Sequence, residues 1–137
     1  MATFNKFETF IGDVGLKVHN LNTDTLKCYL TNATPSASAD AVKTDLAEIA
    51  AGNGYTAGGD DVTNTYSETA GVGTLAGTDI VVTASGGAIA DFRYVVLYND
   101  TAASDNLIAW WDYGSTLTLN DGDSLTIDFG ASILTIS

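Results

Sequence analysis

Few side chains in this chain could do chemistry. There is one histidine, His19, and one cysteine, Cys28. A nucleophilic triad needs a base, a nucleophile and an orienting acid, and nothing around His19 marks the other two members. A lone histidine near a helix end gains from the helix dipole, so His19 reads as structural or solvent-exposed. A structural zinc site normally takes about four Cys and His ligands, so this inventory excludes one. Cys28 has no partner for an internal disulfide and lies in an alternating apolar pattern, which reads as a buried, inert thiol. Calcium is tested by the acid clusters Asp60-Asp61 and Asp121-Gly122-Asp123. The EF-hand spacing is absent, and Asn, Asp and Gly serve turns for backbone reasons alone. Two stretches match a loose G-x-G-x-x-A pattern, Gly52 to Ala57 and Gly71 to Ala76. Dinucleotide binding needs a strand before and a helix after, and neither has that context. No carboxylate pair is singled out for glycoside cleavage. Trp110, Trp111 and Tyr113 could stack on sugars, but strand alternation sends Trp110 to one face and Trp111 with Tyr113 to the other. Core or subunit interface is the better reading of them. The expectation is a chain without catalytic residues, cofactor or metal.

Phe4, Phe7, Ile11, Val14, Val18 and Leu21 recur every three to four residues, with Phe10 at the edge of the same stripe. This spacing predicts an amphipathic helix over 4–21, started by Thr3 and weakened by Gly12 and Gly15. Its apolar face must pack on the chain's own sheet or on a neighbouring subunit. Thr25 to Thr31 alternates, with Leu26, Cys28 and Leu30 on one side, and predicts a half-buried strand. Residues 32–40 read as a loop and 45–51 as a short helical turn. Strands are expected at 63–68 (a polar edge), 78–84, 92–98 (the most apolar, hence central), 107–113, 115–119, 124–129 and 133–136, with turns at Gly71-Val72-Gly73, Ser85-Gly86-Gly87 and Asn120 to Asp123. One N-terminal helix followed by about eight short strands makes a mainly β, antiparallel sandwich or jelly-roll-like single domain over 1–137.

Charge is placed unevenly. Residues 1–43 hold four lysines against four acids, whereas 44–137 hold Arg93 against thirteen acids, so the whole net charge of −12 lies in the later segment. A phosphate backbone or an anionic membrane would be repelled by most of this surface, which disfavours both as partners. The neutral first third is the better place to dock on a protein. The N-terminus has early acids and no apolar core of a secretory signal, and no apolar run approaches the ~18–20 residues of a membrane span. A soluble protein made in a cytoplasm is expected.

The segments FNKFETFIGDVGLKVHNLNTDTLKCYLTNATP, DLAEIAAGNGYTAGG and FRYVVLYNDTAASDNLIAWWDYGSTLTLNDGDSLTIDF together cover most of the chain. They resemble a group of small tailed-bacteriophage proteins thought of as virion components. The block Glu48 to Tyr55 with Gly58-Gly59 is the most distinctive part. The resemblance implies a phage structural protein on the virion. Small β-sandwich proteins of this kind often decorate the capsid, commonly as trimers at local three-fold axes. The implied partners are the major capsid protein and further copies of the chain, as a homotrimer or other homo-oligomer. Contacts are expected from Phe4, Phe7, Phe10 and Trp110 and from residues 32–41. A tail or fibre module binding host glycans through Tyr55, Tyr98 and Trp110 is the alternative, and a cell-wall hydrolase is a distant third.

Overall fold

A computed structural model describes residues 2–137. The chain is mainly β, with antiparallel sheets and one helix. A five-stranded sheet forms the centre, in the order β1 (Thr3–Lys6), β8 (Leu107–Leu119), β7 (Ile89–Asn99), β2 (Leu26–Thr31) and β3 (Asp60–Asp61). A second sheet has β5 (Val72–Ala76) between β10 (Leu134–Ile136) and β4 (Thr65–Thr69). A third joins β6 (Ile80–Thr83) to β9 (Ser124–Ile127).

The apolar run of 92–98 is central, as its composition predicts, because both faces of β7 are covered. Val95 and Leu97 point into the larger core with Leu26, Cys28, Leu30 and Trp111. Tyr94, Val96 and Tyr98 point into a smaller core with Phe7, Tyr29, Leu46 and Trp110. Trp110 and Trp111 thus part to opposite faces, as strand alternation requires. β2 is therefore not half-buried as its pattern suggests, since loop residues 33–46 cover its second face. β8 carries an extra residue at Ile108, where the pairing steps from Leu97↔Ala109 to Tyr98↔Leu107. That bulge presents the Ile108 carbonyl to the Phe7 N–H, at 3.1 Å.

The N-terminal stretch departs from the predicted helix over 4–21. It divides into β1, a turn at Phe7-Glu8 and α1 (Thr9–Gly15). The phenylalanine spacing fits a strand entering a helix as well as one long helix, and tertiary pairing decides between them. β1 pairs with β8, Phe4 opposite Trp111, and the two rings meet edge-on at 5.4 Å. α1 ends in a Schellman motif. Val18 N–H donates to the Asp13 carbonyl and Lys17 N–H to that of Val14, with Lys17 in the left-handed conformation at φ 65°.

Other expectations also shift. The 45–51 helical turn is a 3-10 turn at Lys43–Asp45 instead, capped where Asp45 accepts from the N–H groups of Ala41 and Val42. The turn expected at Gly71-Val72-Gly73 sits at Ala70-Gly71 instead, and Val72 and Gly73 open β5. The Ser85-Gly87 turn closes no hairpin, because β6 pairs with β9 across the molecule. The alternations at 80–83 and 124–129 do place Ile80, Val82, Ile127 and Phe129 inward, and β4 is the expected polar edge.

Candidate functional site

The most distinctive sequence block is a clasp. Loop 32–59 crosses the outer face of β2 and β7 and must be held there without regular pairing. Glu48 does this with all its acceptors. Oε2 takes the Tyr55 hydroxyl and the Gly58 N–H, each at 2.6 Å, and Oε1 takes the Lys43 ammonium at 2.7 Å. The Tyr55 hydroxyl in turn accepts from the Leu30 N–H of β2 at 3.1 Å, which ties the loop to the sheet. Tyr98 of β7 donates to the Gly58 carbonyl at 2.7 Å, and Tyr29 of β2 to that of Lys43 at 3.1 Å. The Lys43 ammonium lies 4.8 Å from the centre of the Tyr29 ring, within cation–π range.

Two glycines in this block are required by space. Gly59 has φ 76°, and a Cβ there would overlap the Cys28 carbonyl; at Gly54, φ 101°, one would overlap that of Thr83. Burial acts to raise the Glu48 carboxyl, and its bonds from Lys43, Tyr55 and Gly58 outweigh that and hold it below the usual range. Burial and the bond to Glu48 push the Tyr55 hydroxyl up, and burial with nearby Asp60 does the same to the Cys28 thiol. The Tyr55 hydroxyl and the Cys28 thiol stay protonated while Glu48 stays ionised, and Tyr55 and Glu48 are spent on holding the chain to itself.

A second buried polar group surrounds His19. Asn99 is fixed by accepting from the N–H groups of Thr101 and Ala102 through Oδ1. Its amide therefore donates, to Asp24 at 2.8 Å and to His19 Nδ1 at 3.0 Å. Neutral His19 then carries its proton on Nε2, which has no hydrogen-bond partner and lies 3.9 Å from an Asp13 oxygen. Burial lowers the His19 pKa, against the opposing pull of Asp13 and Asp24. Beside this group an open cleft of about 510 Å³ is lined by Val14, Lys17, Val18, Leu21, Tyr66 and Ile136, among others.

The predicted contact residues are not gathered on the surface. Phe7 and Phe10 are 1% and 0% exposed, and Trp110 is 8% exposed against Phe7. Phe4 is half-buried against Trp111. Of the apolar N-terminal face, Phe7 and Phe10 are buried and Phe4 is half-buried against this chain's own sheet. The aromatics proposed for glycan stacking are buried too, Tyr55 and Tyr98 with hydroxyls engaged. What the structure does bring together is the β1–α1 junction and loop 32–41, where Glu8 N–H donates to the Ala37 carbonyl at 2.9 Å.

The sequence pattern set Ile11 on the packed apolar face and did not single out Leu16, and the structure turns both outward because α1 is shorter and rotated about Phe10. Ile11 and Leu16 are 61% and 78% exposed, the highest among the large exposed hydrophobics. Three of the five cations are paired, Lys27 with Asp100, Lys43 with Glu48 and Arg93 with Asp112. Among the described residues Lys6 and Lys17, which flank α1, are the cations with no carboxylate within 4.0 Å.

The acid clusters serve turns. Asp121 accepts from Gly86 N–H, Asp123 from Asn120 N–H and Asp61 from Thr63 N–H. Among the described residues no three His, Cys, Asp or Glu side chains are grouped to hold a metal, and no helix is long and apolar enough to cross a membrane. The first glycine pattern lies in a loop bridged from Gly52 to Tyr55, whereas in the second only Gly71 is in a turn and Gly73 is paired within β5. Comparison with protein-family models, with curated proteins and with solved structures finds no match.

Proposed function

We propose that this chain is a non-enzymatic virion structural protein of a tailed bacteriophage, one that decorates the capsid by docking on the major capsid protein. In this reading the five-stranded sheet and the two smaller sheets form a β-sandwich of jelly-roll character, made in the host cytoplasm and carried on the head surface as a homo-oligomer. The observation that carries the docking surface is the bond from Glu8 N–H to the Ala37 carbonyl. It joins the two segments expected to make contact, 4–10 and 32–41, into one continuous face. That face presents Lys6, Glu8, Thr34, Ser38 and Ala39 to solvent, on the electrically neutral third of the chain. The acidic remainder faces water and discourages aggregation. Repeated weak contacts on a lattice sum to firm attachment without any single strong site.

Co-sedimentation with purified capsid shells tests this. The wild type is expected to pellet with shells, and Ser38→Arg with Ala39→Arg to stay in the supernatant while keeping the wild-type circular dichroism spectrum. Wild-type protein that ignores shells, or that is found only at the tail by electron microscopy of virions, overturns the reading.

A further inference from the structure

The outward face of α1 has a composition that nothing inside the chain explains. Positions 11, 12, 15 and 16 lie on one stripe of a helix. Here they are Ile11, Gly12, Gly15 and Leu16, all exposed. The opposite face is fixed on the core by buried Phe10 and half-buried Val14. Both glycines have φ outside the left-handed range, and a Cβ at either would meet nothing within 4 Å. Neither backbone conformation nor internal packing requires them, although each costs about 1 kcal/mol relative to Ala in a helix. Two bare positions between two exposed aliphatic side chains make a flat apolar surface on which a second backbone can lie close.

We propose that this face pairs with the same face of a second copy of the chain, antiparallel about a two-fold axis. The self-complementarity is specific. An axis through the middle of the stripe sets Ile11 of one copy against Leu16 of the other, and Gly12 against Gly15. The aliphatic side chains then flank a crossing point made only of glycine, as an isologous contact demands. The rims agree in charge. Exposed Glu8 lies on the stripe at the start of α1, and exposed Lys17 follows its end with no carboxylate of its own. Antiparallel pairing brings Lys17 of each copy beside Glu8 of the other, whereas parallel pairing would set like charges together. Two chains of net charge −12 repel over most of their surface. An uncharged patch with an opposite pair at each end is the kind of place where they can meet. The helix has seven residues, about 10 Å, so the contact falls below the roughly 1,000 Å² of a stable interface. A dissociation constant of about 10–1,000 μM is expected. The pairing does not depend on the capsid reading, and being two-fold it is additional to any three-fold contact.

Sedimentation equilibrium from about 10 μM to 1 mM tests it on the full chain. The wild-type mass is expected to rise from monomer toward dimer across that range. Leu16→Glu, at an exposed position, should remain monomeric with unchanged circular dichroism, and Lys17→Glu should weaken pairing about tenfold. Combining Lys17→Glu with Glu8→Lys should restore it. A wild type that stays monomeric, equal association of Leu16→Glu, or no rescue in the double variant overturns the proposal. The Ser38→Arg and Ala39→Arg variants should still pair, so failure of capsid docking and failure of pairing are read apart.

Discussion

His19 is buried and Glu48 partly buried, and their neighbours set opposite protonation states. Glu48 receives three donors and stays charged. His19 faces an amide donor at Nδ1 and stays neutral. This gives a pH dependence with a definite sign. The unfolded chain protonates His19 below its ordinary value of 6.5, while the folded chain resists because burial lowers the pKa. The stability held above pH 6.5 is therefore lost as pH falls through that value toward the lower folded pKa. Denaturant midpoints measured from pH 7.5 to 5 should decline for the wild type, and the decline should be shallower in His19→Gln. Equal slopes would show that His19 is not the titrating group and that the carboxylates carry the whole effect.

At the level of elements, the question is what holds a long irregular segment on a sheet. Loop 32–59 has few ladder bonds, so its attachment rests on Glu48, Tyr55, Tyr98 and the close approach of Gly59 to Cys28. Glu48→Ala leaves Gly58 N–H and the Lys43 ammonium unpaired in a partly buried setting. It should cost about 2–3 kcal/mol of stability. Hydrogen exchange should quicken first in residues 43–59, while residues 94–99 of β7 and 107–111 of β8, covered on both faces, keep their protection. Uniform loss of protection across the sheet would show that the clasp is not a separate unit. α1 is held differently, by Phe10 against the core and by the Schellman end at Lys17, which leaves its outer stripe free.

For the whole molecule the dominant fact is charge. Thirteen acids against one arginine beyond residue 43 make the surface self-repelling. Screening shortens that repulsion to about 10 Å at 0.1 M salt and 3 Å at 1 M. Thermal midpoints should therefore rise by several degrees, about 3–6 °C, from 20 mM to 0.5 M sodium chloride. A fall instead would mean that the Lys27–Asp100 and Arg93–Asp112 pairs outweigh the repulsion.

Local pattern was sufficient where local physics decides. The alternation of Leu26, Cys28 and Leu30, the polar edge expected at 63–68 and formed at Thr65–Thr69, the inward Ile80 and Val82, and the opposite facing of Trp110 and Trp111 were all legible, because side chains in a strand must alternate. Charge placement was legible for the same reason, being a count along the chain. Partner choice was not. That β6 joins β9, that Val72–Ala76 pairs at all, and that Phe4 enters a strand depend on which distant segments come to lie alongside. The same holds for the candidate sites. Glu48, Tyr55 and the paired glycines stood out as a block in the sequence, but their purpose appears only once Leu30, Cys28 and Tyr98 are beside them. The amphipathic spacing marked the residues of α1, and only tertiary burial showed which side is spent. Phe7 and Phe10 lie inside and Ile11 is left outside, because a hydrophobic stripe names its members without naming what covers them; exposed Leu16 was not among those members.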